Sequence, residues 1–87
     1  MHYIIIDDWA NEYQCECGVR IMGIAHSETA AQRIFDAHVQ EIKDIAEEND
    51  WTIYNDAGTK FDAGEPGLYA GNHERLYIEM VDCKDEQ

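Results

Sequence analysis

Residues 27–48 carry a three-and-four-residue apolar repeat, and this repeat limits what the chain can fold into more than any other feature. Ala31, Ile34, Phe35, His38, Ile42, Ile45 and Ala46 recur at helical spacing, which predicts an amphipathic helix. Ser27 is suited to cap it, Glu28 places negative charge in its first turn, and Asn49-Asp50 ends it. Its other face reads Asp36, Gln40, Glu41, Lys43, Asp44, Glu47 and Glu48. A helix with one apolar stripe must lay it on another layer, and the rest of the chain has to supply that layer.

The remainder reads mainly with a period of two. Tyr3–Ile6 is β-branched and aromatic on both sides, which predicts an interior strand. Asp7-Asp8 ends it, and Trp9-Ala10-Asn11-Glu12 reads as a turn. From Tyr13 to Ala25, one face would carry Tyr13, Cys15, Cys17, Val19, Ile21, Gly23 and Ala25. This is either one strand facing the core or two strands broken at Cys17-Gly18. Trp51–Tyr54 predicts a third strand, followed by a turn at Asn55–Gly58 and a brief return at Lys60-Phe61. Asp62–Gly67 reads as a loop, Leu68–Ala70 as a short strand, Gly71–Glu74 as a turn, and Leu76–Cys83 as the final strand, exposed at a sheet edge. The expectation is a single α+β domain over residues 1–87, of order β-β-α-β-(β)-β. One amphipathic helix packs on a mainly antiparallel sheet of four to five strands.

Eighty-seven residues leave a thin stability margin, because a chain this short buries only about 60–65% of its unfolded surface. Against that margin stands a net charge of −13, from 19 Asp and Glu opposing 6 Lys and Arg. Such self-repulsion disfavours the compact state. It also disfavours nucleic acid and anionic lipid as direct partners, since both are bound through Lys and Arg, and it favours a basic protein surface. Solubility alone is the plainer account of the charge. The three cysteines are an odd number, which does not suit a secreted disulfide framework. The first eight residues lack the basic start and long apolar run of a signal peptide or membrane span. The expectation is a cytoplasmic protein with reduced thiols and no membrane association.

The cysteines raise a metal question. Tyr13-Gln14-Cys15-Glu16-Cys17-Gly18, followed by a helix bearing His38, resembles a C2H2 zinc finger in outline. The resemblance covers about a third of the chain and departs from the family in two ways. One residue separates the cysteines, where zinc fingers have about two to four, and positions 42 and 43 are Ile and Lys where a second histidine would fall. It implies Cys15, Cys17 and His38 as ligands of one structural zinc, with His26, His2 or Cys83 as the fourth. The alternative needs no cofactor: the cysteines sit on an inward strand face as small hydrophobes and His38 is a hydrogen-bonded core residue.

No nucleophile elbow, P-loop, dinucleotide fingerprint or HExxH helix is present, so the expectation is a protein that is not an enzyme. Helix carboxylates recur at about one turn, near 5.4 Å, a scale comparable to the roughly 3.4 Å rise between phosphates along one strand of a duplex. Asp36, Glu41, Asp44, Glu47 and Glu48 are the candidate contact residues. Asp7, Asp8, Asp56, Asp62 and Glu65 are expected to extend the patch from loops, with Trp9 and Tyr69 as aromatic anchors. In size and charge, though not in motif, the chain is similar to small phage-encoded inhibitors of the anti-CRISPR and anti-restriction type that imitate nucleic acid. That resemblance implies an acidic inhibitor occupying the basic site of a nucleic-acid-binding host protein. The other reading is a zinc-stapled adaptor domain for protein–protein interaction.

Overall fold

The computed structural model describes residues 1–11, 16–66 and 72–82. Within them the chain runs β1 (His2–Asn11), β2 (Glu16–Ala25), α1 (Glu28–Asn49), β3 (Thr52–Asp56), β4 (Lys60–Gly64) and β5 (Asn72–Val81). The strands form one antiparallel five-stranded sheet in the order β2-β1-β5-β4-β3. The helix lies across one face, so the α+β architecture expected from the sequence is the one observed.

The helix begins and ends for local reasons. Ser27 is extended, and its hydroxyl accepts a hydrogen bond from the Ala30 amide at 3.1 Å, satisfying one of the unpaired amides of the first turn. Asp50 closes the last turn in the left-handed conformation, φ 56°, where a short polar side chain is tolerated. The buried stripe is Ala31, Phe35, Val39, Ile42 and Ala46, centred on Phe35. His38, Ile34 and Ile45 flank it.

Beneath the stripe, Ile5, Ala25, Phe61, Ala63 and Leu76 complete one core. They come from four strands, all on the face that the helix covers. Phe35, Phe61, Ile5 and Leu76 are its largest fully buried apolar side chains. At Gly23 the helix packs closely on the sheet: a Cβ added there would lie 3.0 Å from Ile34 Cγ2.

The strands are longer than the sequence suggested. Trp9 to Asn11 is the end of β1, not a turn, because every residue from His2 to Asn11 has a partner on β5. Gly18 does not break β2. It pairs with Trp9, and a Cβ at Gly18 would lie 3.2 Å from the indole, so the glycine makes room for a large neighbour. Asp62 to Gly64, expected in a loop, pair with Arg75, Glu74 and His73, which brings Asn72 to Glu74 into β5. The last strand is therefore not an edge: β5 lies between β1 and β4, and the edges are β2 and β3. The expected strand at Leu68–Ala70 lies outside the described residues.

The largest departure is at β2. Ile5 pairs with Gly23, but Ile6 pairs with Ile21, so Met22 is an extra residue, a β-bulge. Because side chains alternate with a period of two, one extra residue exchanges the faces for everything beyond it. Ala25 and Gly23 face the helix as expected. Past the bulge it is Arg20 and Gly18 that face it, while Ile21, Val19 and Cys17 point away.

Phe61→Ala is expected to lower unfolding free energy by about 3–5 kcal/mol, a large part of the 5–15 kcal/mol typical of a domain. Gly23→Val is expected to cost about 1–3 kcal/mol by forcing Ile34 outward. Urea unfolding followed by circular dichroism checks both.

Candidate functional site

Two groups of polar residues stand out, one outside the helix and one beneath it. The outer group is a row of carboxylates. At about 100° per residue, Asp36, Asp44, Glu47, Glu48 and Glu41 span an arc of roughly 140° centred opposite the buried stripe. All five are exposed. Gln32 donates to Asp36 at 2.9 Å and Gln40 to Asp44 at 3.0 Å, each one turn earlier. Gln32 also donates to the Gly58 carbonyl at 2.8 Å, tying the helix to the β3–β4 turn. Asp36 and Asp44 are thus held about 12 Å apart along the axis.

Compensating cations are few on this face. Exposed Arg33 lies within the arc at its N-terminal end, and Lys43 turns to Asp56 of β3, at 3.2 Å, instead of to its helical neighbours. Glu41 meets His38 Nδ1 at 3.0 Å. The helix face therefore presents concentrated negative charge on a rigid rod about 33 Å long.

The inner group is a polar cluster built by the bulge. Asp7, expected on the surface patch, is 1% exposed and lies on the helix-facing side of β1. Arg20, brought inward by the shift at Met22, donates to Asp7 Oδ2 at 2.7 Å and to Glu74 Oε1 at 3.3 Å. Its guanidinium lies over the Trp9 ring, 5.6 Å from the centroid. Trp9 is thus half-buried under Arg20 rather than free in a loop as an aromatic anchor. Asp7 Oδ1 is buried and takes no hydrogen bond among the described residues.

Glu74 lies beside it. Burial first, then the hydrogen bond and negative charge of Asp7, raise its carboxyl to about 7, with Arg20 opposing and Glu41 adding to the rise. The neighbouring Asp7 carboxylate favours the neutral form of Glu74. Asp7, Arg20, Glu74, His38 and Glu41 also line a small open cleft of about 250 Å³ beside α1.

The candidate zinc ligands do not converge. Cys17 is exposed on the sheet face opposite the helix. His38 lies on the helix side, engaged with Glu41. His26 lies past the other end of β2, on the order of 25–30 Å of strand from Cys17, with its ring edge-on to His2 at 4.6 Å. Cys15 and Cys83 lie outside the described residues, as does Tyr69. Among the described residues no group of three or more His, Cys, Asp or Glu side chains is placed to hold a metal ion. The cause is the bulge, which turns Cys17 away from the helix. A tetrahedral site joining Cys17, His26 and His38 does not fit this arrangement.

The other expected extensions of the patch divide between the two sheet faces. Asp56 faces the helix side through Lys43. Asp8 and Asp62 belong to the uncovered face, where Asp62 pairs with His73 and, at 3.6 Å, with Arg75. Glu65 closes the end of β4 by accepting from the Asn72 amide at 2.7 Å. Sequence reading missed the Asp7–Arg20–Glu74 cluster. The available signal was an aspartate inside an otherwise apolar interior strand, a position that calls for a cationic partner.

No family model, curated protein or solved structure matches the chain. Among the described residues no helix is long and apolar enough to cross a membrane.

Two outcomes test the cluster. Arg20→Met leaves the buried Asp7 carboxylate unpaired and is expected to cost about 2–3 kcal/mol. That is below the range for fully buried pairs, because Arg20 itself is 55% exposed. Adding Asp7→Asn should recover most of the loss. A carboxyl raised on folding destabilises once ionised, so the contribution of Glu74 should decline as pH rises from about 4.5 to about 7. Glu74→Gln, which keeps a donor for Asp7, should abolish that component. Its unfolding free energy would then exceed that of wild type at pH 8 by on the order of 1 kcal/mol, with no advantage at pH 4.

Proposed function

We propose that this chain is a non-enzymatic acidic binding protein that occupies the basic nucleic-acid site of another protein, working in the cytoplasm in the manner of phage-encoded anti-CRISPR or anti-restriction inhibitors. One observation carries the reading: the five exposed carboxylates of α1 form a single arc directly opposite the buried stripe. A charge cluster that served solubility alone would not need a fixed geometry. Here two of the five carboxylates are oriented by glutamine side chains. The helix supplies rigid spacing, and lysine and arginine rows that grip phosphates can grip carboxylates through the same charge-assisted hydrogen bonds.

The cluster beneath the helix supports this role indirectly. Repulsion along α1 works against the compact state, and Arg20, bridging β2 to Asp7 of β1 and Glu74 of β5, holds together the strands on which the helix rests.

Binding should weaken steeply with salt and should compete with duplex DNA or RNA for the partner's basic site. Reversing Asp36, Glu41 and Asp44 together to lysine is expected to lower affinity by at least about a hundredfold and to leave the fold intact, because all three side chains are exposed. Binding measured by calorimetry at two salt concentrations, with a thermal melt of the triple variant as control, decides the matter. Unchanged affinity in a folded triple variant rules the reading out.

A further inference from the structure

The helix covers one face of the sheet, and no described element covers the other. On that bare face the bulge and the alternation of β1 and β5 bring Ile4, Ile6, Val19, Ile21, Ile24 and Tyr77 together across three adjacent strands. Ile4 pairs with Ile24, Ile6 with Ile21 and with Tyr77. Val19, Ile21 and Ile24 are 64%, 62% and 56% exposed. Three such β-branched residues side by side on one edge strand are unusual on a surface meant to face water.

Charge is distributed in a way that selects the occupant. The uncovered face carries Asp8, Asp62 and Glu79 against Lys60 and Arg75, so it is close to neutral in a chain of net charge −13. A like-charged copy is repelled at the helix face but not at this one.

We propose that the uncovered sheet face is a homodimer interface, in which two copies stack face to face about a two-fold axis that runs across the strands through the Ile6 and Tyr77 row. That axis lays β2 on β2, β1 on β1 and β5 on β5, with strand directions reversed. The apolar residues of β2 then meet one another across the axis. Counting rows from Ile6, Ile24 of one copy faces Val19 of the other, Ile6 and Ile21 face their own counterparts, and Glu79 faces Arg75 in two symmetric pairs, while Asp8 lies over Ile4 and Lys60 meets its own counterpart toward the β4 side. A parallel two-fold along the strands would instead place β2 over β3, setting isoleucines against polar residues.

The area suffices. Ten-residue strands at about 3.4 Å per residue and about 4.8 Å spacing give β2, β1 and β5 roughly 480 Å², and β4 with β3 add roughly 160 Å². Two copies therefore bury on the order of 1,300 Å², within the range of specific interfaces. Sheets packed at about −30° keep their central rows in contact.

Sedimentation of the full chain across micromolar to high-micromolar concentrations provides the test. Wild type should dimerise. Ile21→Lys should abolish dimerisation, and Arg75→Glu should weaken it at least about tenfold by setting like charges opposite each other. The doubly swapped Arg75→Glu/Glu79→Arg chain should regain it, a rescue that a mere folding defect would not show. Far-UV circular dichroism confirms that each variant is folded. A wild type that stays monomeric throughout overturns the proposal. So does a dimer indifferent to all three changes, which would point to pairing along the β2 edge. The helix arcs face outward in this dimer, so loss of dimerisation with salt-sensitive binding intact separates this proposal from the functional one.

Discussion

The placement of Arg20 against Asp7 is the interaction on which the rest of the structure turns. An aspartate 1% exposed in the middle of the central strands is costly without a cation. The sequence has only six basic residues to supply one. The bulge at Met22 solves this locally. By adding one residue to β2 it rotates Arg20 onto the helix side, within 2.7 Å of Asp7. The same shift moves Ile21, Val19 and Cys17 outward. One irregularity therefore satisfies the buried charge, exposes an apolar surface and separates Cys17 from His38.

From this follows a molecule with two dissimilar faces. The helix side is charged, with its carboxylates anchored by Gln32 and Gln40 and its base anchored by the Arg20 cluster. The bare sheet side is apolar along β2 and β1 and nearly balanced in charge toward β4. In the role proposed for it, segregation of this kind would let one small domain use unlike forces at once: long-range electrostatic attraction toward a basic surface, and short-range apolar burial against a second copy. On the helix side, burial and the neighbouring Asp7 carboxylate raise Glu74 to about 7, so the cluster also responds to pH near neutrality.

Much of this was legible in the sequence. The apolar repeat at residues 27–48 specifies the helix because its period does not depend on anything outside it, and Ser27 and Asn49-Asp50 mark its ends by local hydrogen-bonding chemistry. The period-two stretches specify strands for the same reason. Strand lengths were underestimated wherever polar residues lay in paired positions, as at Trp9 to Asn11 and Asp62 to Gly64, since a residue's polarity does not reveal whether a neighbouring strand will claim its amide. His38 was placed on the apolar stripe and Val39 was left out of it, whereas Val39 is buried and His38 lies at the stripe's margin.

The sequence by itself determined the fold class, the position of the helix and the acidity of its outer face, because periodicity, capping and charge are local properties. Only the tertiary structure decided which residues of β2 look inward, which strand lies at the centre of the sheet, and that Asp7 is buried rather than displayed. Those are matters of register. A single unpaired residue, Met22, changes the facing of every side chain beyond it, and no pattern within β2 alone distinguishes a strand with a bulge from one without.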